Sequence, residues 1–327
     1  MKVYMIDSYR RRGYDFSSER SIIEEAGHEL ILKECHNDDD IVRECPDADA
    51  ILNIYTSMGK KSIDALDRCK VLVRYGIGYD NFDVRAATEK GIMVCNIPHY
   101  CIPEVAIHAT ALILGATRNL LNYTYNMRQA KYNEGAGSFY QMRRPSTQKV
   151  GLVGFGNISS TVAGYVKAMG YGVLAYDPYL DDSVFEKAGV ERADFDTVLS
   201  ESDIISIHVP YSKETHHILD SAAFNKMKDG VIIVNTARGP LIEEAALVEA
   251  LKSRKVGAAG IDVFEEEPFR PDDHPFYHMN NVILSPHAAY NSAESVVELN
   301  KQVAMTAVAV LNGEVPYNAV NKKDLGL

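Results

Sequence analysis

The sequence lacks long apolar runs and an excess of basic residues. Its 327 residues contain 34 Lys and Arg against 45 Asp and Glu, a net charge of −11. No apolar run approaches the roughly 18 residues of a membrane-spanning helix, and the start, Met1 to Asp7, reads as a short buried strand rather than a signal peptide. Phosphate binding needs a basic surface, so the charge balance argues against nucleic acid as the main partner. We expect a cytoplasmic globular protein with no membrane or nucleic-acid partner.

The sequence also lacks paired cysteines. Its five cysteines are scattered through the first third of the chain and form no C-x-x-C pair: Cys35, Cys45, Cys69, Cys95 and Cys101. An odd number at irregular spacing is typical neither of a disulfide framework nor of a zinc site. We predict reduced thiols and no metal.

Short apolar runs alternate with helical segments along the chain. This pattern predicts an α/β fold with parallel sheets covered on both faces, and the length indicates two domains. The predicted strands are 3–6, 30–33, 50–54, 71–75, 93–95, 150–153, 173–176, 204–208, 231–235, 257–261 and 282–284.

Three helical segments punctuate this alternation. A capping box of Ser21 and Glu24, stopped by Gly27, predicts a helix over 21–26. A long helix over 103–127 separates two α/β units, which meet near residue 100. A helix over 293–312 closes the chain, and its periodicity does not tell which unit it packs on.

A glycine-rich turn follows the predicted strand at 150–153. Gly154 and Gly156 allow a tight turn and close approach of a pyrophosphate to the N-terminus of the next helix, and Ser159 is small enough for helix–strand packing. Asp177 ends the next strand, 23 residues past Gly154, where a carboxylate binds ribose hydroxyls and repels a 2′-phosphate. The turn predicts a dinucleotide site that prefers NAD over NADP.

Three ionisable residues follow later strands. Arg238, Glu267 and His287 all lie where strands end, which is the edge at which open α/β sheets bind ligands. Arg offers a planar fork for a carboxylate and a carbonyl. His titrates near neutrality, and a carboxylate partner favours the protonated form that donates a proton.

The sequence resembles the D-isomer-specific 2-hydroxyacid dehydrogenases along nearly its whole length. The stretches that carry the resemblance are Val73-Arg-Tyr-Gly-Ile-Gly-Tyr-Asp-Asn-Phe-Asp83, Asn96-Ile-Pro98, the Gly154 turn with Tyr176-Asp-Pro-Tyr179, His208-Val-Pro210, Asn235-Thr-Ala-Arg-Gly239, Asp262-Val-Phe-Glu-Glu-Glu-Pro268 and Ser285-Pro-His287. Two stretches, Val73-Arg-Tyr-Gly-Ile-Gly-Tyr-Asp80 and Pro286-His-Ala-Ala-Tyr290, also resemble the subgroup that includes C-terminal-binding-protein corepressors.

The resemblance implies two Rossmann-like domains with doubly wound parallel sheets. A discontinuous substrate-binding domain over 1–99 and 293–327 would enclose an NAD-binding domain over 100–292, in a homodimer. It implies that Arg238, Glu267 and His287 are catalytic and that Gly76, Ile77, Gly78, Arg238 and Tyr290 bind substrate. The cofactor contacts that it implies are Gly154, Gly156, Asn157, Ile158, Asp177, His208, Pro210, Thr215, Thr236, Ala237 and Asp262.

The sequence departs from the family at one position. Ile107 stands where the family usually has an acid, which we expect to alter helix-start packing or domain closure but not to abolish activity. Its neighbour His108 reads as a structural histidine, with the cofactor as its alternative partner. Tyr290, with Tyr75 and Tyr100, is a candidate for shaping specificity or simply for lining the core.

The implied function is the NADH-dependent reduction of a small 2-oxoacid, with His287 as the acid/base group. One alternative is an NADH-sensing regulatory protein, although such a sensor has no need to keep all three catalytic residues. Another is an enzyme of the phosphoglycerate dehydrogenase type, for which Arg74, Arg10 to Arg12 and the pair Arg143 and Arg144 are candidate phosphate ligands. The sequence does not select the acid or the physiological direction.

Overall fold

The computed structural model describes residues 1–11, 14–131, 142–270 and 274–327. They divide into two compact units, residues 1–100 with 292–327 and residues 101–291. Each unit contains one sheet, and every pair of neighbouring strands within the two sheets is parallel. The predicted α/β class with two parallel-sheet units is confirmed.

The first unit has a five-stranded sheet of order β2-β1-β3-β4-β5. Its strands are β1 (Lys2–Met5), β2 (Glu29–Leu32), β3 (Ala50–Asn53), β4 (Val71–Arg74) and β5 (Met93–Cys95). Its helices are α1 (Ser17–Glu25), α2 (Asp38–Glu44), α3 (Lys60–Asp64), α4 (Val84–Glu89) and, from the end of the chain, α12 (Ala293–Leu311).

Alternate residues of the central strands enter two different cores. Leu52 and Val73 pack in the cluster that also contains Leu299 and Val303 of α12, while Leu72 lies in the cluster on the opposite face. Both faces of the sheet are therefore buried, which explains the continuous apolar runs of the sequence. The closing helix packs on the sheet of the first unit.

The second unit has a seven-stranded sheet of order β12-β11-β10-β9-β6-β7-β8. Its strands are β6 (Lys149–Val153), β7 (Gly172–Tyr176), β8 (Glu191–Arg192), β9 (Ile204–Ile207), β10 (Val231–Asn235), β11 (Val256–Ile261) and β12 (Val282–Leu284). Its helices are α5 (Ile102–Thr117), α6 (Leu120–Arg128), α7 (Asn157–Ala168), α8 (Asp182–Ala188), α9 (Phe195–Glu201), α10 (Ser221–Lys226) and α11 (Glu244–Lys252).

The strand order of the second unit reverses at β6. The chain passes from β6 outward to β7 on one side and later returns to β9 on the other. In open α/β sheets this switch point creates a crevice at the carboxyl ends of the strands, where ligands bind. The glycine turn after β6 lies at this position.

Several predicted elements differ from the observed ones. The helix predicted over 21–26 begins at Ser17, and Ser21 is not its cap, because the Ser21 hydroxyl donates to Glu25 Oε1 within the helix at 2.7 Å. The long helix predicted over 103–127 is split, because Asn119 between α5 and α6 adopts a left-handed φ of 54°. The two-residue strand β8 is exposed and carries no apolar pattern, so the sequence analysis missed it.

The five cysteines are free thiols and all are buried. No helix within the described residues is long and apolar enough to cross a bilayer.

Candidate active site

The glycine turn after β6 contains two glycines that are required for different reasons. Gly154 has a φ of 89°, and a Cβ there would lie 2.9 Å from the carbonyl carbon and oxygen of His208, so the fold itself requires glycine. Gly156 has an ordinary φ of −79°, and a Cβ there would meet nothing within 4 Å. The space above Gly156 is therefore open, which is what a pyrophosphate needs in order to approach the protein backbone closely.

Helix α7 begins directly behind this open space. Gly156 is its N-cap and no side chain caps it, so the N–H groups of Asn157 and Ile158 in the first turn have no acceptor inside the helix. Such a terminus attracts anions through its N–H groups and the helix dipole. The position fits a pyrophosphate.

Asp177 lies beside the same turn, directly after β7. Its Oδ2 accepts from the N–H of Phe155 at 3.0 Å and its Oδ1 from the N–H of Tyr179 at 3.0 Å. Each carboxylate oxygen retains further acceptor capacity, so the carboxylate can still accept from two ribose hydroxyls. The backbone contacts hold the side chain beside the glycine turn.

Two of the predicted cofactor contacts stabilise the loop after β9. The His208 imidazole hydrogen-bonds the Ser206 hydroxyl at 2.9 Å, and desolvation lowers its pKa to about 4, so it is neutral at physiological pH. The Thr215 hydroxyl donates to the carbonyl of Pro210 and accepts from the N–H of Ser212, both at 2.8 Å. Thr215 therefore closes the loop around Pro210.

Thr236 and Ala237 follow β10. The Ala237 N–H donates to Asn235 Oδ1 at 3.0 Å. The Thr236 hydroxyl is buried, and no described residue is its hydrogen-bond partner. A buried polar group without a partner is costly, and a bound ligand would supply one here. The open space at Gly156, the uncapped helix and Thr236 together fit a dinucleotide.

Arg238 lies at the end of the same segment. Its carbonyl accepts from Asn235 Nδ2 at 2.8 Å, and its Nη1 donates to the Ala237 carbonyl at 2.8 Å. A Cβ at the neighbouring Gly239 would lie 1.9 Å from the Phe264 carbonyl carbon. Glycine therefore lets the Arg238 segment pack directly against the loop that leads to Glu267.

His287 and Glu267 form a hydrogen bond, which becomes an ion pair when the imidazole is protonated. His287 Nδ1 lies 2.7 Å from Glu267 Oε2, while Glu267 Oε1 accepts from the N–H of Phe264 at 3.2 Å. Because an ionised carboxylate only accepts, the His287 proton in this bond lies on Nδ1. Nε2 is then the position that takes up or releases a proton.

The His287 backbone has a φ of 52°, which is unfavourable for a non-glycine residue. Asp262, fully buried at the end of β11, holds this turn. Its carbonyl accepts from the His287 N–H at 2.7 Å, and its two carboxylate oxygens accept from the N–H groups of Ala288 and Ala289 at 2.9 and 3.0 Å. Strain of this kind persists where the surroundings over-determine it, and it is typical of functional sites.

Ser285 and His108, which the sequence analysis did not predict to contact each other, complete this arrangement. The Ser285 hydroxyl donates to Asp262 Oδ1 at 2.5 Å, and His108 Nε2 of α5 lies 2.9 Å from Ser285 Oγ. Ser285 is recognisable by its position directly after β12. His108 lies 177 residues earlier, and no sequence signal joins it to Ser285.

The first unit contains the loop predicted to bind a carboxylate. Gly76 follows β4 with a φ of 145°, its carbonyl accepts from the Ile97 N–H, and the Ile77 carbonyl accepts from Asn96 Nδ2. Within the described residues, no acceptor is found for the N–H groups of Ile77 and Gly78. Two adjacent N–H groups of this kind are able to bind an anion.

The tyrosines proposed to shape specificity differ in their surroundings. Tyr75 is buried in the core of the first unit and donates to Glu19 Oε1 at 3.1 Å. Tyr100 packs against the same core. Tyr290 is half-buried at the end of the His287 turn. Ile107 exposes 61% of its surface.

No group of His, Cys, Asp or Glu within the described ranges is arranged to hold a metal ion. His217 pairs with Glu265, and His274 Nε2 lies 2.9 Å from Glu244 Oε2, so both histidines have carboxylate partners.

Comparison with known proteins reveals the family. Residues 110–289 match the family described as D-isomer specific 2-hydroxyacid dehydrogenase, NAD binding domain. The chain is 36% identical over 322 residues to D-3-phosphoglycerate dehydrogenase of Archaeoglobus fulgidus, covering 98% of this chain and 59% of that protein. It is 34% identical over 285 residues to glyoxylate reductase of Korarchaeum cryptofilum, covering 86% of each.

The chain belongs to the D-isomer-specific 2-hydroxyacid dehydrogenase family. The resemblance seen in the sequence is thereby confirmed. The match places an NAD-binding domain in the second unit, which holds the glycine turn, Asp177 and Thr236. Among solved structures, D-lactate dehydrogenase from Aquifex aeolicus, complexed with NAD and lactic acid, superposes with a TM-score of 0.83 at 26% identity, covering 96% of each chain.

Proposed function

We propose that this family member is an NAD-dependent oxidoreductase that interconverts a small 2-oxoacid and its 2-hydroxyacid. The observation that carries the proposal is the 2.7 Å hydrogen bond between His287 Nδ1 and Glu267 Oε2, made in the unit that also contains Arg238 and the NAD-binding turn. A histidine held by a carboxylate is the usual arrangement of a general acid/base group.

His287, Glu267 and Arg238 have different roles in the proposed reduction. NADH, when bound, supplies a hydride to C2 of the oxoacid. His287, protonated at Nε2, donates a proton to the carbonyl oxygen, and Glu267 holds Nδ1–H and stabilises the imidazolium form. Arg238 binds the oxoacid through its planar guanidinium and stabilises the charge that develops on the carbonyl oxygen. In the reverse direction neutral His287 takes the hydroxyl proton.

For the first unit, taken by itself, we propose an anion-binding role of the loop at Gly76 to Gly78. The N–H groups of Ile77 and Gly78 are two adjacent donors without described acceptors, and they match the two oxygens of a carboxylate. Tyr290 stays a candidate for the substrate pocket. The burial of Tyr75 and its bond to Glu19 argue against a direct role for Tyr75 in selectivity.

NADH is the proposed reductant in preference to NADPH. The Asp177 carboxylate lies beside the glycine turn, and a negative charge there repels a 2′-phosphate.

The decisive experiment measures NADH oxidation with glyoxylate, hydroxypyruvate, pyruvate, 3-phosphohydroxypyruvate and branched, aromatic and thioether 2-oxoacids. We expect turnover of at least one acid by the wild-type protein, at least a hundredfold lower kcat in His287→Ala, and unchanged kcat in His278→Ala, an exposed histidine outside the site. Equal rates for the wild-type and His287→Ala proteins would remove His287 from the mechanism.

A phosphorylated oxoacid is a second candidate substrate because the chain is 36% identical to a D-3-phosphoglycerate dehydrogenase. Arg74 lies next to the loop at Gly76, where its Nε donates to Asn81 and its Nη1 to the Tyr75 carbonyl. Arg143 pairs with Asp203 at 2.7 Å, whereas Arg12 lies outside the described residues. Preferred turnover of 3-phosphohydroxypyruvate would select this candidate.

Failure of every acid, with tight NADH binding retained, would instead favour the regulatory alternative. The homodimer and the cytoplasmic location stay predictions; light scattering of the purified protein tests the first.

A further inference from the structure

A chain of hydrogen bonds leads from α5 to the turn that carries His287. His108 Nε2 lies 2.9 Å from Ser285 Oγ, and Ser285 Oγ lies 2.5 Å from Asp262 Oδ1. His108 Nε2 is also 3.6 Å from Asp262 Oδ1. All three residues belong to the second unit, and Asp262 is fully buried.

The direction of these hydrogen bonds follows from the number of protons available. Both oxygens of Asp262 receive backbone N–H groups, so the carboxylate acts as an acceptor throughout. The single Ser285 proton therefore points to Asp262, and Ser285 Oγ is left to accept. The donor to Ser285 Oγ is His108, which must carry a proton on Nε2.

These hydrogen bonds affect the orientation of the His287 imidazole. Ser285 and Asp262 flank the turn in which His287 adopts its left-handed φ of 52°, and the His287 N–H donates to the Asp262 carbonyl. Loss of the donor from His108 frees the Ser285 hydroxyl to rotate away from Asp262. Asp262 Oδ1, which also accepts from the Ala288 N–H, then loses its hydrogen bond from Ser285.

We propose that His108 is a positioning residue, whose Nε2–H fixes the Ser285 hydroxyl on Asp262 and thereby holds the turn that presents His287. The catalytic consequence rests on the proposed function. The hydrogen-bond chain itself does not, so the two can fail separately.

Matched amide substitutions test this role. In His108→Gln the side-chain amide nitrogen occupies about the place of Nε2. The Asn side chain is shorter, so in His108→Asn the amide nitrogen corresponds to Nδ1. We expect kcat about ten- to hundredfold lower in His108→Asn and within about threefold of wild type in His108→Gln, since small displacements of a catalytic group cost this much. The KM for the oxoacid should change less than kcat.

A double-mutant cycle tests whether His108 acts through Ser285. If it does, His108→Asn in a Ser285→Ala background lowers kcat little further, because the bond is already absent. Additive losses, or equal activity of the Asn and Gln variants, would overturn the proposal. Melting temperatures of all variants show whether a loss of rate reflects unfolding instead.

A measurement on the apoprotein gives an answer without turnover. Long-range ¹H–¹⁵N spectra of protein with ¹⁵N-labelled histidine should show His108 as the Nε2–H tautomer, and its signals should shift in Ser285→Ala. The His287 signals should shift in His108→Asn and return in His108→Gln. An Nδ1–H tautomer for His108 would refute the hydrogen-bond chain. Absence of turnover in the wild-type protein with these spectra intact would refute only the proposed function.

Discussion

His287 Nδ1 and Glu267 Oε2 lie 2.7 Å apart, although the two residues follow different strands of the sheet. Glu267 therefore fixes both the tautomer and the direction of the imidazole. The same loop packs against Gly239, so the positions of Arg238 and Glu267 depend on each other. The hydrogen bond between His287 and Glu267 and the close packing at Gly239 thus link the positions of Arg238, Glu267 and His287.

Replacing Glu267 by Gln should separate the charge from the hydrogen bond. The amide keeps the size of the side chain but no longer stabilises an imidazolium, so we expect kcat to fall about a hundredfold or more with little change in the KM for NADH. Glu266→Gln, at the exposed neighbouring position, is the control and should keep wild-type kcat. Steady-state kinetics with the best oxoacid decides; a rate above a tenth of wild type in Glu267→Gln would contradict the assigned role.

The two glycines of the turn should respond differently to alanine. Gly154→Ala places a Cβ 2.9 Å from the His208 backbone at a φ of 89°, so we expect a loss of about 1–3 kcal/mol in the free energy of unfolding. Gly156→Ala meets no protein atom, so stability should change by less than about 1 kcal/mol, while the Kd for NADH rises tenfold or more. Denaturant titration and NADH fluorescence measure the two effects. Unchanged NADH binding in Gly156→Ala would mean that the open space holds no dinucleotide.

Asp177→Asn should relax the choice of cofactor. The amide retains an oxygen for one backbone N–H group and removes the negative charge, so we expect the preference for NADH over NADPH to fall about tenfold or more. Asp181→Asn removes an equal charge from a nearby exposed position. The ratio of kcat/KM values for the two cofactors is the measurement, and a ratio that falls equally in both variants would point to a general charge effect.

His208 should make stability depend on pH. Its pKa in the folded protein is about 4, below the usual 6.5, so between these values the unfolded chain binds more protons. Stability is therefore full above pH 6.5 and falls as the pH drops toward 4, with a slope of up to about 1.4 kcal/mol per pH unit from this group. In His208→Gln that contribution disappears, whereas in His278→Gln it remains. Urea unfolding at pH 7 and pH 5 measures the difference; identical pH dependence in His208→Gln and wild type would disprove the assignment.

Ile107 tests whether the departure from the family matters. Because its side chain is 61% exposed on α5, Ile107→Glu should change the free energy of unfolding by no more than about 0.5 kcal/mol. We also expect kcat within about threefold of wild type, because Ile107 is exposed and has no role in the proposed reaction or in the hydrogen bond between His108 and Ser285. A large change in kcat would show that the missing acid takes part in the reaction.

Features written in consecutive residues could be predicted from the sequence. Buried parallel strands produce apolar runs, and three observed strands, β5, β10 and β12, begin and end where predicted. The glycine turn and the acid that ends β7 belong to one local unit, so their spacing already indicated NAD. Arg238, Glu267 and His287 were selected as candidates because residues that follow parallel strands lie at one edge of the sheet.

Tertiary structure decided what depends on residues far apart. Periodicity shows that α12 is amphipathic, but only the packed core shows that it covers the sheet of the first unit. The bond from His108 to Ser285 joins residues 177 positions apart, and it depends on where α5 crosses the second sheet. A side-chain hydrogen bond needs two atoms about 3 Å apart, and no local pattern carries that distance. The sequence by itself therefore determined the family and indicated NAD and a set of candidate reacting groups, whereas the folded chain determined which side chains and backbone groups hold those candidates in place.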